Sequence, residues 1–427
     1  VECTAKGRAS TRRGCQDARD VETLERVAAS AKGATAPRGD EATRLAIAYV
    51  ALFFLAGIHL PYWPVWLASR GVDAQQLGVL LGIGNWARLT TPWIGAWADR
   101  TGRGPQLLVA VAIVVLVTLG LFELAHTLMI LVVLSAVLGL AYAPIIPLLD
   151  GMSISAAAAG RMDYGRVRLW GSASFILASV VGGWLLQGRD PGLVLTTLQS
   201  SAVVLVLAVS WLRRMPLAPR PEVARLGAAA RPPRSWAEIL GQPRFATFLV
   251  CVGFLQGAHA VLYGFGTKHW QQAGISESTI GWFWGVGVIA EVVLFAWGAR
   301  IIAWVGAPGL LGLAGLGAIV RWAALGSTTA IGPTFAIQIL HAASFAAMHL
   351  GAMSWIRDNI VPDAVNRATA VYTAIAGGVA LGIGMPLGGV LFDRWQGDAY
   401  FAMAAFAAIG TAFAWRLGRP MPAPSVR

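Results

Sequence analysis

From residue 44 onward the chain is a succession of apolar runs of about twenty residues, separated by short polar breaks. Twenty apolar residues in a helix cover the roughly 30 Å of a bilayer's hydrocarbon core. The pattern predicts an all-α membrane protein with twelve spans, near 45–68, 75–98, 106–124, 129–156, 167–187, 192–213, 245–272, 276–299, 308–326, 331–357, 367–392 and 398–417.

The pattern is also written twice. FLAGIH at 54–59 returns as FLQGAH at 254–259, and RLA at 44–46 as RFA at 244–246. Further on the offset drifts to 203, pairing Gly78, Gly82, Gly84 and Gly95 with Gly281, Gly285, Gly287 and Gly298, and then to 206, pairing Gly182 and Gly183 with Gly388 and Gly389. A slowly drifting offset predicts two six-helix halves, 44–213 and 244–417. The Pro- and Arg-rich segment 214–243 reads as a cytoplasmic linker and 418–427 as a cytoplasmic tail. Residues 1–43 are polar and lack the apolar core of a signal peptide, so they read as a disordered or mis-annotated extension.

Composition agrees with the pattern: 56% of residues are hydrophobic and 13% charged, where soluble domains carry about 25% charged. The net charge of +12 raises the question of nucleic acid, but the positive residues are dispersed over short loops rather than gathered on a patch. With both termini cytoplasmic, 27 of the 33 Lys and Arg fall in inner segments, and only Arg70, Arg189, Lys268 and Arg394 fall outside. The excess is therefore an orientation signal for a cytoplasmic membrane. Cys3, Cys15 and Cys251 form neither a disulfide framework nor a metal motif. No cofactor is implied, and the expected partners are a small solute, protons and lipid, with the protein acting as a monomer.

Charges inside the spans carry the candidate chemistry. Glu291 is the only charged residue in IGWFWGVGVIAEVVLFAWGA, 280–299, at a depth where a carboxylate costs roughly 2.5–3.5 kcal/mol on insertion scales. It reads as a proton carrier, a substrate contact, or half of an ion pair with Arg321 or an arginine of the fifth span. Arg88 lies opposite it under the 203 offset, about 16 Å from the level of Asp99. It could clamp a substrate carboxylate with two parallel hydrogen bonds, or pair internally and lock the halves. Gln256, His259, Tyr263 and Trp270 form one helical face, echoed by His59, Tyr62, Trp63 and Trp66; such stripes suit an aromatic solute. The outer members Trp66 and Trp270 are expected in the interfacial belt, and His59 and His259 are either site residues or satisfied core histidines. Asp150, in PIIPLLDGM, is a second cavity acid or a paired residue near the cytoplasmic end. Only one of Arg166 and Arg168 can face the interior, since residues two apart point about 200° apart. His341 and His349, eight apart, are too distant along the axis to share a metal.

GAWADRTGRG at 95–104 resembles the loop signature of the major facilitator superfamily, with Gly104 in place of the usual final Lys. That fold has two six-helix halves rocking about a central site. The resemblance implies a latch in which Asp99, with Arg100 and Arg103 beside it, holds the start of the eleventh span near Asn366 and Arg367. DYGRVRLWGS (163–172), LQGAHAVLYGF (255–265), GVIAEVVLFA (287–296) and QILHAASF (338–345) resemble the 3-phenylpropionate permease group, proton-linked importers of aromatic acids. That group is similar to lactose permease and its relatives, which set an acid, an arginine and a histidine on the eighth, ninth and tenth spans. Glu291, Arg321 and His341 match those elements, whereas Ser344 stands where those permeases carry a further acid.

The expectation is a proton-coupled symporter of a small organic solute, an aromatic carboxylic acid such as 3-phenylpropionate. A nucleoside or sugar symporter or a drug efflux pump of the same fold is the alternative. A non-transporting membrane sensor is disfavoured, because neither the leader nor the linker has the residues for a folded signalling domain. No nucleophile elbow, phosphate loop or zinc spacing argues for an enzyme.

Overall fold

The computed structural model describes residues 38–213, 236–242, 244–361 and 364–419. The expected extension, most of the linker and all but the start of the tail therefore lie outside the described residues. Within them the chain is helical, with no strand. Nine helical stretches are long and apolar enough to cross a membrane, and the exact count of twelve stays an expectation of the hydropathy pattern.

The elements are α1 (Arg38–Ser69), α2 (Ala74–Trp86), a 3₁₀ segment (Ala87–Thr90), α3 (Thr91–Thr101), α4 (Gly104–Leu121), α5 (Leu128–Tyr142), α6 (Ile145–Ala158), α7 (Tyr164–Leu186) and α8 (Gly192–Arg213). After residue 235 come α9 (Trp236–Leu240), α10 (Phe245–Gly257), α11 (Ala260–Gln272), α12 (Glu277–Ser327), α13 (Ile331–Ile339), a π segment (Ala342–Ala347), α14 (Met348–Asn359), α15 (Val365–Thr373), a second π segment (Ala374–Ala380), α16 (Leu381–Trp395) and α17 (Ala399–Gly418).

Several expected spans are not plain helices. The second tightens to 3₁₀ at Ala87–Thr90, around Arg88. The seventh is divided at Ala258 and His259, so its polar stripe is not one unbroken face. The eighth and ninth form a single stretch, α12, that turns at Gly306 (φ 68°, ψ 174°). That left-handed φ suits glycine, and Pro308 just beyond has no N–H to continue the ladder.

Glycines fix where the two sides of the molecule meet. A Cβ at Gly78 of α2 would strike the Met385 carbonyl of α16, and one at Gly389 would strike the Ala74 carbonyl. On the other flank a Cβ at Gly281 of α12 would strike the Ser179 carbonyl of α7, and one at Gly183 the Glu277 carbonyl. The sequence offsets of 203 and 206 carry the first crossing onto the second, residue for residue. Backbones this close require small residues at the contact. Gln75 also donates to Asp393 at 2.9 Å here.

The same region accounts for two tryptophans expected at the lipid interface. Trp66 and Trp270 are 2% and 1% exposed. Trp66 stacks on Trp63 at 4.7 Å and meets Phe122 edge-on at 5.6 Å, while Trp270 packs on Phe283 at 5.1 Å. Tight helix crossing at this end draws them into the protein core.

Candidate functional site

Away from these crossings the packing opens. On the side of the Asp99 loop, α3 packs on α4 and α6, and α14 on α12 and α15, each with neighbours from its own part of the chain. A Cβ at Gly95 would meet nothing within 4 Å. Arg88 and His349 are exposed, and Asp150, Arg168 and Glu291 are partly so. Solvent-accessible charges on membrane-length helices mark a polar cleft, closed at the glycine crossings and open towards Asp99.

Arg88 is held deep in this cleft by two irregular segments. The 3₁₀ turn that carries it meets the π segment Ala374–Ala380, and its Cδ lies 3.0 Å from where a Cβ on Gly377 would stand. His59 stacks on Tyr142 at 5.5 Å and on Trp63 at 5.7 Å, and both His59 and Tyr142 are in electrostatic reach of Arg88. Arg88 has no hydrogen-bonded or ion-paired side chain among the described residues. The internal lock open to it from the sequence is not made in this conformation.

The facing wall is a chain of contacts through Arg321, 1% exposed. Its Nη1 donates to His341 Nδ1 at 2.9 Å and to Ser344 Oγ at 3.0 Å, and its Nη2 donates to Gln338 Oε1 at 2.7 Å. A guanidinium has only donors, so His341 Nδ1 must accept and the ring proton sits on Nε2. His341 Nε2 lies 3.4 Å from Glu291 Oε2. Glu291, Arg321 and His341 thus come together, with Ser344 contacting Arg321 where the related permeases carry an acid. The Arg321 cation lies over Trp322 at 4.8 Å but has no carboxylate partner among the described residues. In place of an ion pair between Glu291 and Arg321, the neutral His341 ring bridges the two.

Several buried polar atoms beside this chain lack partners among the described residues: Arg321 Nε, Gln338 Nε2, His259 Nε2 and Trp322 Nε1. His259 donates Nδ1–H to the Leu255 carbonyl at 3.0 Å and packs edge-on against Trp322 at 5.0 Å. Tyr263 stands in electrostatic reach of Arg88, Arg321 and Glu291 alike. Next to it is a cavity of ≈ 30 Å³ lined by Leu60, Phe175, Leu262, Tyr263, Trp284, Gly287, Val288, Arg321, Gln338 and His341. That is room for about one water, too little for an organic solute by itself. A larger groove of ≈ 430 Å³ on the outer face is lined by aliphatic side chains and glycine, such as Leu294, Leu313, Gly317 and Val320; it has nothing to recognise a charge.

Asp150 belongs to a separate cluster. It accepts from Tyr49 at 2.5 Å and Tyr164 at 3.2 Å, and lies 3.9 Å from Arg168 Nε. Arg168 in turn covers the Phe53 ring at 4.1 Å, while Arg166 points outward, 89% exposed. Arg168 also reaches Glu291 electrostatically across the cleft.

Other expected site residues lie elsewhere. Tyr62 donates to the Ser179 carbonyl at 2.7 Å within the closed crossing, and its hydroxyl fills the space beside Gly183 and Gly281. Gln256 is buried at the end of α10. Asp99, Arg100 and Arg103 are exposed at the end of α3, which Gly102 closes at φ 67°. Tyr142, Trp284 and Gln338 escaped the sequence reading. Gln338 had a signal, standing three residues before His341 on the same helical face; Tyr142 had none beyond being polar in a span.

Two packed helical sets with a polar cleft between them, closed at one end, define a membrane transporter of the major facilitator superfamily. Residues 42–403 match the model described as "MFS_1 like family", and the chain belongs to that family of transporters, which are not enzymes. It is 33% identical over 390 residues to the Escherichia coli (strain K12) "Probable 3-phenylpropionic acid transporter", covering 89% of this chain and 98% of that protein. It is 24% identical over 364 residues to the maltose permease of Geobacillus stearothermophilus, covering 84% and 90%. Among solved structures, the nucleoside transporter NupG superposes with a TM-score of 0.72 at 18% identity, covering 90% of this chain and 100% of that one. A D-xylose-proton symporter gives 0.67 at 14% identity, covering 88% and 97%. These last two likenesses establish the fold.

Proposed function

We propose that the protein is a proton-coupled symporter of a small aromatic carboxylic acid of the 3-phenylpropionate type. The observation that carries this reading is the surplus of donors around Tyr263. Arg88 and Arg321 approach the same ring without a carboxylate partner among the described residues, and Arg321 Nε and Gln338 Nε2, from residues lining the cavity beside it, are buried without acceptors there. A buried cation with neutral partners only is costly until an anion joins it. A carboxylate supplies both the charge and the acceptors, and Tyr263, Trp284 and Phe175 supply the faces for an aryl ring. The 33% identical relative is named for such a solute. A nucleoside or sugar would leave both guanidinium groups without an anion.

Glu291 is the coupling acid in this reading. Protonated, it lets the loaded carrier reorient; deprotonated on the open side, it favours solute release. His341, with its Nε2 proton towards Glu291, orients that carboxyl. The excess of Lys and Arg in inner segments supports both termini facing the cytoplasm of a bacterial inner membrane, with the cleft open inward, and Asp99 latching the start of the eleventh span when it closes. Uptake of labelled 3-phenylpropionate into proteoliposomes tests the reading. Accumulation under an inward pH gradient, competed by other aryl carboxylates but not by nucleosides or maltose, is expected. Uptake indifferent to the gradient, or competed only by neutral solutes, contradicts it.

A further inference from the structure

The tenth span contains a second histidine, His349, that the reading above leaves unused. Eight residues of straight α-helix would set it about 80° around the axis from His341. The π segment Ala342–Ala347 lies between them, and a π turn takes in one residue more than an α turn. The two histidines are thereby brought into one column: His341 stacks on Phe345 at 5.1 Å and 4°, and Phe345 on His349 at 6.5 Å and 9°. π segments recur at functional sites, and here the consequence is a ladder of three parallel rings.

The facing helix keeps the same register. Gly287 of α12 lies against His341, Phe295 meets His349 edge-on at 6.4 Å, and Gly298 lies against Leu350. Glu291, one turn from both Gly287 and Phe295, therefore stands at the level of Phe345, with a histidine a turn away on either side. His341 is buried and its Nδ1 is taken by Arg321. His349 is exposed to the open cleft, and its Nδ1 is 3.1 Å from the Tyr372 hydroxyl. The charged and titratable groups facing it are Glu291 from α12, Arg168 from α7 and Tyr372 from α15.

We infer that His349 is the residue through which Glu291 exchanges its proton with water on the open side, a role that rests on Glu291 being the coupling acid. In the tautomer that donates Nδ1–H to the Tyr372 hydroxyl, the Nε2 lone pair is free to take a proton. The proton leaves the Glu291 carboxyl, is taken on His349 Nε2 to give an imidazolium, and passes to water in the cleft, leaving Glu291 as carboxylate. The Arg168 cation across the cleft repels the imidazolium, so the proton is handed on rather than kept. His341 cannot serve this route, because Arg321 holds one nitrogen and the other faces Glu291 from the closed side.

The test uses no solute, which separates its failure from failure of the substrate assignment. In the full-length protein in lipid nanodiscs, the infrared carboxyl band absent from Glu291→Gln is followed after a pH jump. Its decay should be at least tenfold slower in His349→Gln than in the native protein and restored by free imidazole, with Tyr372→Phe slowed less. A native rate in His349→Gln, or a slowing that imidazole does not relieve, overturns the inference. Absence of any such band in the native protein overturns both the inference and the assignment of Glu291.

Discussion

Asp150 and Glu291 are both acids on membrane-length helices, both partly exposed to the same cleft, and their surroundings differ in kind. Asp150 has two phenol donors and an arginine around it, all within 3.9 Å and all from its own side of the cleft. Glu291 has one histidine nitrogen at 3.4 Å, and the nearby cation, Arg321, bonds to that histidine instead of to the acid. A carboxylate solvated by fixed donors is stable as an ion. One left nearly bare is tolerable only if it spends part of its time protonated. The difference separates an acid tied to its neighbours by fixed donors from one with few, and it is the ground on which Glu291 is proposed ahead of Asp150 as the coupling acid.

The contrast can be broken most severely at Arg321. Arg321→Gln removes the cation that fixes His341 and is proposed to meet the solute's carboxylate, and should weaken aryl-carboxylate binding at least hundredfold, about 2.8 kcal/mol. Calorimetric titration of 3-phenylpropionate checks this, and undiminished affinity would mean that no anion is held at that wall.

On the other cluster, Tyr49→Phe deletes a hydrogen bond to a charged acceptor, worth about 1.5 kcal/mol in this partly exposed setting. The thermal midpoint in detergent should fall while gradient-driven uptake is preserved. Lost coupling at full stability would move Asp150 into the transport machinery.

A smaller effect sharpens the picture at Arg88. Arg88→Lys keeps the charge but loses the planar fork, and should weaken binding about tenfold, 1.4 kcal/mol. Equal affinity for the acid in Arg88→Ala would place the solute wholly on the Arg321 side.

Much of this was legible in the sequence because it depends on local or periodic signals. Hydropathy located the helices, and the offsets of 203 and 206 anticipated that Gly78 and Gly281 would hold equivalent places in two crossings. The lone acid of the eighth span stood out for the same reason that it matters: a charge in hydrocarbon is expensive. What escaped depends on three-dimensional register. No residue pattern announces that the chain takes an extra residue per turn at Ala342–Ala347, so nothing in the sequence aligns His349 with His341. Tyr142 is brought to Arg88 by the α2 and α5 crossing at Gly84 and Gly139, a contact between residues far apart in sequence. Trp66 and Trp270 were placed in the belt because position along a span says how deep a side chain lies, but not whether lipid or another helix covers it.

Glu291, and not Asp150, is proposed to couple solute to protons. Its most direct test compares Glu291→Gln with Asp150→Asn in proteoliposomes, measuring equilibrium exchange and gradient-driven accumulation of 3-phenylpropionate side by side. Glu291→Gln mimics the protonated acid, so exchange should persist and lose the acceleration expected of the native protein as pH falls, while accumulation disappears. Asp150→Asn should still accumulate. Accumulation by Glu291→Gln under a pH gradient, with its loss in Asp150→Asn, would contradict the account.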